Sequence, residues 1–514
     1  MTTKNKSTFA DYLRDPDDFT LTFELVPSRG GRSKEHARTI ALAKEIALDG
    51  RIRAVSITEN AGGHSALSPE VLGIEIKAMG LEVIIHFSCK DKNRNQMESL
   101  LFGWDREEMR NLLVITGDYP QAGYKGFPKP VFDLGSVHAL DLISRLNKGL
   151  FSERNQKPKN CHIKPTSFFN GVAVSPFKRL RSELIPQYYK LHRKAAAGAD
   201  YVITQVGFDA RKFQEILLYM KQNNLNLPLI GNVFIPNLAV TEIMYKGGIP
   251  GCIITEKLYE QIIGESKSPD KGRKARLVRA AKLLCVLRGL GYNGAHIGGP
   301  GLTFADIDFV LNEAEAYYPD WKSLVSEMSY WYEAGCYYFQ KDHQTGLNSD
   351  QLAVEHKEKA PCSIAYTLAK LFHDLMFEKK GLLYMPMKST CETLGMGRMA
   401  PAWVRFEHLL KFLAFECRNC GDCALHDLGY LCPQSGCAKY LLNGPCGGSR
   451  DGWCEVFPGV KRCFYVRLYE RLLGCGREQT MKDGFVPPRN WSLNATSSWL
   501  NYYQGRDHAA SEQG

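Results

Sequence analysis

Between Phe19 and about Tyr318 the chain alternates short β-branched or apolar runs with helix-length amphipathic segments. No other feature constrains the fold as much, because strands that alternate with helices build a parallel sheet whose faces the helices cover. The runs are Phe19–Pro27, Ala54–Glu59, Leu81–Cys89, Asn111–Asp118, Phe168–Pro176, Tyr201–Phe208, Pro228–Ile235 and Gly294–Gly299. Between them Ser33–Asp49, Asn95–Arg110, Ser136–Asn147, Glu183–Gly198, Arg211–Asn223 and Asp270–Gly289 carry apolar residues at helical spacing. Gly198 and Gly289 stand where helix C-caps belong. Eight units over about 300 residues fit an α/β chain closed into a (β/α)₈ TIM barrel better than an open doubly wound sheet. No Gly-x-Gly-x-x-Gly follows a strand, and Gly62-Gly63 and Gly298-Gly299-Pro300-Gly301 read as loops.

A barrel keeps its chemistry at the C-terminal ends of its strands. Polar residues gather there: Glu24 in the first run, Thr58 and Glu59 closing the second, His86 in the third, Asp118 ending the fourth and Gln205 interrupting the sixth. After Tyr318 the pattern turns helical and aromatic, from Trp321 through Tyr337-Tyr338 to Ser363–Phe377, with polar breaks around Asp342–Asp350 and Lys357–Pro361. The expected organisation is a barrel over residues 1–318, a helical connector over 319–400 and a small cysteine-rich domain over 401–514, frayed after Asn501.

Hydrophobic residues make up 44% and charged residues 23% of the 514, ordinary globular values. The formal net charge is +10, but basic residues are spread without a dense run, so no nucleic-acid partner is expected. The polar start Met1–Lys6 is followed by no apolar core of signal-peptide length, and no apolar stretch is long enough to span a bilayer. A cytoplasmic protein without a membrane partner is expected.

Nine of the sixteen cysteines fall between Cys417 and Cys475. A secreted disulfide scaffold would be small and would carry a leader, so clustered thiolates point to metal instead. The run Cys417-x₂-Cys420-x₂-Cys423-x₈-Cys432-Pro433 follows the logic of a ferredoxin-type ligand string. With Cys437, Cys446, Cys454 and Cys463 it supplies eight thiolates, enough for two four-cysteine [4Fe-4S] clusters. Structural zinc is the alternative, since four thiolates also close a tetrahedral site. Glycines in Asn443-Gly444-Pro445-Cys446-Gly447-Gly448 favour iron–sulfur, because backbone can approach an inorganic sulfide there.

Thr-Phe-Glu-Leu-Val-Pro at Glu24, His-Phe-Ser-Cys at His86, Ile-Thr-Gly-Asp-Tyr-Pro at Asp118 and Ala-Gly-Ala-Asp-Tyr-Val-Ile-Thr-Gln ending at Gln205 resemble, in this order, the methylenetetrahydrofolate reductases. The resemblance implies a flavin across the barrel mouth, FAD or alternatively FMN, and hydride transfer between flavin and 5,10-methylenetetrahydrofolate. It implies Glu24 as the acid that protonates N10, a role for which a carboxyl pKa raised by burial is expected. It implies Asp118 between flavin and pterin, Gln205 on the pterin edge, and Thr58, His86, Gly117, Arg193 and Lys194 around the flavin, the two cations near its phosphate. Thr116, Val206-Gly207 and Leu238 depart from the family pattern. Phe406 to Cys463 resembles the cysteine-rich domain that accompanies some reductases of anaerobic one-carbon metabolism, which implies electron relay to the flavin. The expected partners are tetrahydrofolate derivatives and an electron donor such as ferredoxin, NADH or a redox subunit, with self-association left open. The alternatives are an NADH-dependent reductase with a structural zinc domain, a tetrahydrofolate-dependent methyltransferase, and a cluster-bearing module without catalysis.

Overall fold

In the computed structural model, which describes residues 8–149, 163–353, 361–395 and 400–508, all eight runs are strands. They are β1 (Thr20–Leu25), β2 (Ile52–Ile57), β3 (Glu82–Ser88), β4 (Asn111–Ile115), β5 (Phe169–Val174), β6 (Tyr201–Thr204), β7 (Leu229–Phe234) and β8 (Gly294–Gly298). They form a closed parallel barrel in sequence order, with β8 pairing back onto β1. Each strand stops short of its expected run. Asp118 and Gln205 therefore lie just past β4 and β6, in the loops that a barrel uses for its site.

The opposite end of the barrel is plugged. Helix Phe9–Arg14, capped by Thr8, sends Phe9 and Leu13 among Ala54, Ile84, Leu113, Tyr201 and Ile230. Phe9 meets the Tyr201 ring edge-on at 5.4 Å. Full burial of such a ring contributes roughly 2–3 kcal/mol.

Ser136–Asn147 keeps its expected bounds, and the other helices keep their places with shifted ends. Gly198 leaves the Arg181–Ala196 helix at φ +102°. Gly289 is not a cap: it lies inside the Arg273–Leu290 helix because Trp321 rests on it, a Cβ there coming within 2.1 Å of the indole, and Gly291 at φ +92° ends the helix instead.

The connector is helical only in part. Residues from Trp321 to Leu352 form short 3₁₀ turns and an antiparallel pair, β9 (Phe339–Lys341) and β10 (Asn348–Leu352), and Leu324, Met328, Tyr330 and Phe339 join the barrel's core. Asp209 draws this segment in by accepting from the backbone N–H of Tyr330 at 3.0 Å and Trp331 at 2.9 Å. Helices follow at Ile364–Met376, Tyr384–Gly395 and Ala400–Phe415. Of the break expected at Lys357–Pro361, only Pro361 is among the described residues, and the Met1–Lys6 start lies outside them.

The chain does not fray at Asn501. That side chain is fully buried within helix Ser498–Tyr503 and donates to the Gly421 carbonyl at 2.8 Å; residues from 509 onward lie outside the described part. Cys475, the ninth cysteine of the cluster, is joined to Cys362 in a disulfide across 113 residues, which the metal reading of the cysteines did not anticipate.

The cysteine domain sits on the barrel through helix Phe464–Gly474, which lies along helix Arg181–Ala196. The barrel helix belongs to two cores. Leu184, Tyr188 and Leu191 face the barrel, while Ile185 and Tyr189 pack with Phe464, Leu468 and Tyr469. Residues one helical turn apart share a face, so adjacent registers serve the two sides.

Candidate functional site

A cavity of 1610 Å³ opens at the barrel mouth, with Glu24, Thr58, His86, Gly117, Asp118, Lys194 and Gln205 in its walls. The cysteine domain supplies the facing wall through Lys439, Cys446, Gly447, Glu455 and Phe457.

Glu24 points inward from β1. Its Oε2 lies 3.8 Å from His296 Nε2 on the neighbouring β8, and His296 Nδ1 is 2.8 Å from Thr22 Oγ1. Burial raises the carboxyl, but the contact with His296 outweighs it, so Glu24 is held below its ordinary range, contrary to the expectation of a raised value. His86 contributes little to this. Burial drives it down to about 4, it is neutral near pH 7, and its Nε2 sits 2.6 Å from Ser56 Oγ.

Asp118 accepts from the Gly62 N–H at 2.8 Å, and burial raises its carboxyl against the opposing pull of Lys439. Gly117 holds the turn before it at φ +83°, where a Cβ would come within 2.1 Å of Ser88 Oγ, and its carbonyl accepts from Lys439 Nζ at 2.7 Å. Gln205 has half its amide committed within the protein, Oε1 accepting from Val206 N–H at 2.8 Å. Lys194 donates to the Ala173 carbonyl at 2.6 Å and reaches the cavity. Arg193 does not line it. Its guanidinium donates to the carbonyls of Thr480 at 3.3 Å and Asp483 at 2.8 Å, so it joins the domains instead.

Among the described residues, four buried polar atoms in the walls that the barrel contributes lack a hydrogen-bond partner: Thr58 Oγ1, Ser175 Oγ, Gln187 Nε2 and Asn232 Oδ1. Each costs about 1–3 kcal/mol unless a ligand satisfies it. The cavity is also larger than the roughly 300–1,000 Å³ that one small ligand needs. These features fit a polar, planar cofactor together with a substrate.

Sequence reasoning missed His296, Asn232, Ser175 and Gln187. The first two carried the signal that marked Glu24 and His86, a polar residue inside an apolar strand, in Gly-Ala-His-Ile-Gly and Leu-Ile-Gly-Asn-Val-Phe. Lys439 and Glu455 carried none, because chain order does not say which loop of a following domain reaches the mouth.

Cys417, Cys420, Cys423 and Cys432 surround one small cavity with Arg489 and His508. Lys411 Nζ lies 3.2 Å from Cys423 Sγ and 3.3 Å from Glu407. Cys437, Cys446, Cys454 and Cys463 form a second group whose members act electrostatically on one another, and Cys446 lines the barrel mouth. Burial pushes the Cys420 and Cys446 thiols up to about 12, so the thiolates that a metal needs depend on the metal's own charge. Among the described residues no three of these sulfurs lie mutually within 4.8 Å. Four thiolates suit either a single zinc ion, at Zn–S bonds of about 2.3 Å, or an iron–sulfur cubane.

One trio does come within 4.8 Å, His373, Glu378 and His426. Its imidazoles stack in parallel planes with centroids 4.0 Å apart, so their in-plane lone pairs do not converge on one ion.

Two family models match the chain, one described as methylenetetrahydrofolate reductase over residues 9–285 and one as methylene-tetrahydrofolate reductase C terminal over residues 398–492. The chain is similar to methylenetetrahydrofolate reductase 2 of Saccharomyces cerevisiae, 24% identical over 181 residues, which is 35% of this chain and 28% of that protein. It is also similar to methylenetetrahydrofolate reductase (NADH) 1 of Arabidopsis thaliana, 23% identical over 190 residues, 34% of this chain and 29% of that protein. The matched stretch thus spans less than a third of either relative. A solved structure described as an uncharacterized protein from Clostridium thermocellum that binds two copies of 5-methyl-5,6,7,8-tetrahydrofolic acid covers 59% of this chain and 96% of its own at 14% identity and a TM-score of 0.41, too distant to carry an argument. No helix among the described residues is long and apolar enough to cross a membrane.

Proposed function

Because this chain belongs to the methylenetetrahydrofolate reductase family, whose signature spans more than half of it, we propose that it interconverts 5,10-methylenetetrahydrofolate and 5-methyltetrahydrofolate with a flavin at the barrel mouth and electrons delivered through two [4Fe-4S] clusters. The observation that carries the reading is the shared cavity. Glu24, Asp118 and Gln205 from the barrel and Cys446 from the cysteine domain line the same space.

When bound, the flavin supplies hydride transfer and the clusters supply one-electron relay. Thr58, Gly117 and Lys194 hold the flavin, helped by the unpartnered groups of Ser175, Gln187 and Asn232. Gln205 fixes the pterin edge through its remaining amide capacity. Asp118 favours the cationic iminium form of the substrate when it is ionised, since negative charge nearby stabilises developing positive charge. Opening the imidazolidine ring leaves an electron pair on N10 that needs a proton. Glu24 delivers it, with His296 Nε2 3.8 Å from its carboxylate and that imidazole oriented by Thr22.

Anaerobic purification with iron, zinc and flavin analysis tests this reading. The expected protein contains flavin and iron for two cubanes, and reduces methylenetetrahydrofolate with reduced viologen. A flavin-free but active protein would make it a methyltransferase. A colourless cysteine domain with stoichiometric zinc and full NADH-driven turnover would make it a nicotinamide-dependent reductase with a structural appendage.

A further inference from the structure

Lys178 is fully buried and Lys190 is 4% exposed, yet neither forms an ion pair with a carboxylate among the described residues. An ammonium taken out of water costs several kcal/mol unless an opposing charge accompanies it. The partners they do have belong to one loop. Lys178 Nζ donates to the carbonyls of Gly447 at 2.5 Å and Ser449 at 2.6 Å, and Lys190 Nζ to that of Pro445 at 2.8 Å. That loop carries Cys446. Its close wrap over Lys190 needs Gly444, at φ +111°, where a Cβ would come within 2.7 Å of the lysine stem. Burial lowers Lys190 to about 8, against the opposing pull of Cys446.

The first cysteine group has a different balance. Lys411 is matched by Glu407 at 3.3 Å, and His508 by Asp422 at 2.6 Å and Asp427 at 3.2 Å, while Arg489 has no carboxylate among the described residues and donates to the Cys420 carbonyl. Near the second group Lys439 is matched by Glu455, and the two buried lysines remain in surplus.

We propose that Lys178 and Lys190 are the counter-charge of an anionic iron–sulfur cluster on Cys437, Cys446, Cys454 and Cys463, and that they hold its reduction potential above that of the cluster on Cys417, Cys420, Cys423 and Cys432. The inference rests on the iron–sulfur reading given above. Net charge around a cluster is one of the levers on its potential, and fixed cations in a low-dielectric interior favour the form with one more electron. One electron then leaves the reduced first cluster, which is oxidised, and enters the second, which is reduced; no bond or proton changes. A low-potential one-electron carrier protein re-reduces the first cluster. The two lysines give the chain a direction, toward the barrel mouth.

The test is an EPR-monitored redox titration of the anaerobically purified full chain, with the two signals assigned by Cys423→Ser and Cys446→Ser. Lys190→Met is expected to lower the equilibrium constant for reducing the second cluster tenfold or more, about 59 mV for a one-electron couple. The first cluster's potential and the iron and flavin contents stay at parental values, and Lys190→Arg retains the parental potential. Lys178→Gln gives an independent measure should Lys190→Met not accumulate. An unchanged second potential in the lysine variants, or a first cluster of higher potential than the second in the parent, overturns the proposal. A parent without iron fails at the metal analysis, before any variant is made, and overturns the cluster reading itself.

Discussion

His296 Nε2 faces Glu24 Oε2 at 3.8 Å across the seam where β8 closes onto β1. Burial raises the Glu24 carboxyl, but the contact with this imidazole outweighs it and holds the group below its ordinary range. Glu24→Gln is expected to leave flavin reduction intact and to slow transfer to the folate by about a hundredfold or more, as removal of a general acid does. Stopped-flow measurement of the two half-reactions checks this, and a parental folate rate would make Glu24 structural.

For the cysteine domain, Cys420→Ser or Cys423→Ser should remove the iron of the first cluster and abolish turnover with reduced viologen. Flavin binding, and reoxidation of chemically reduced flavin by folate, should persist. Iron analysis beside the two assays separates this from zinc, whose loss would unfold the domain and lower every activity together.

His138 joins the domains: its Nδ1 accepts from Gly135 N–H at 3.3 Å and its Nε2 sits 2.7 Å from the Val486 carbonyl. Burial lowers it from 6.5 to about 4. The unfolded chain therefore binds the extra proton between those values, and stability falls as pH drops through that window. His138→Gln should flatten the loss, as seen in urea midpoints between pH 7 and pH 4.5.

Gly117→Ala places a side chain at φ +83° and against Ser88. Such strain costs about 1–3 kcal/mol. A lowered melting temperature and a lower flavin content of the purified protein are the expected readings, with Gly123→Ala, where nothing lies within 4 Å, as the control.

Period and patterning made the barrel legible. All eight strands and the inward positions of Glu24 and His86 follow from apolar runs broken by a polar residue, and the apolar spacing of Ser136–Asn147 gave that helix to the residue. The stretch after Trp321 was not, since its aromatic residues are spaced for packing on the barrel and Asp209, more than a hundred positions upstream, decides its path. Arg193 shows the same limit: its charge suggested a phosphate, while its position beneath the cysteine domain commits it to the carbonyls of Thr480 and Asp483. The disulfide between Cys362 and Cys475 joins residues whose proximity nothing local records.

The helix Arg181–Ala196, shared between two cores, makes the barrel and the cysteine domain one cooperative unit. Opening the cysteine domain would strip Ile185 and Tyr189 of their neighbours, and loosening the barrel would remove the platform on which Phe464 and Tyr469 rest. Each half is a ligand for the other, binding its folded form alone and raising its apparent stability by mass action at a fixed, intramolecular concentration. Calorimetry of the full chain should therefore record one transition in which the β8–β1 seam and the cysteine groups are lost together, and metal occupancy of the cysteine groups should be felt in the melting of the barrel.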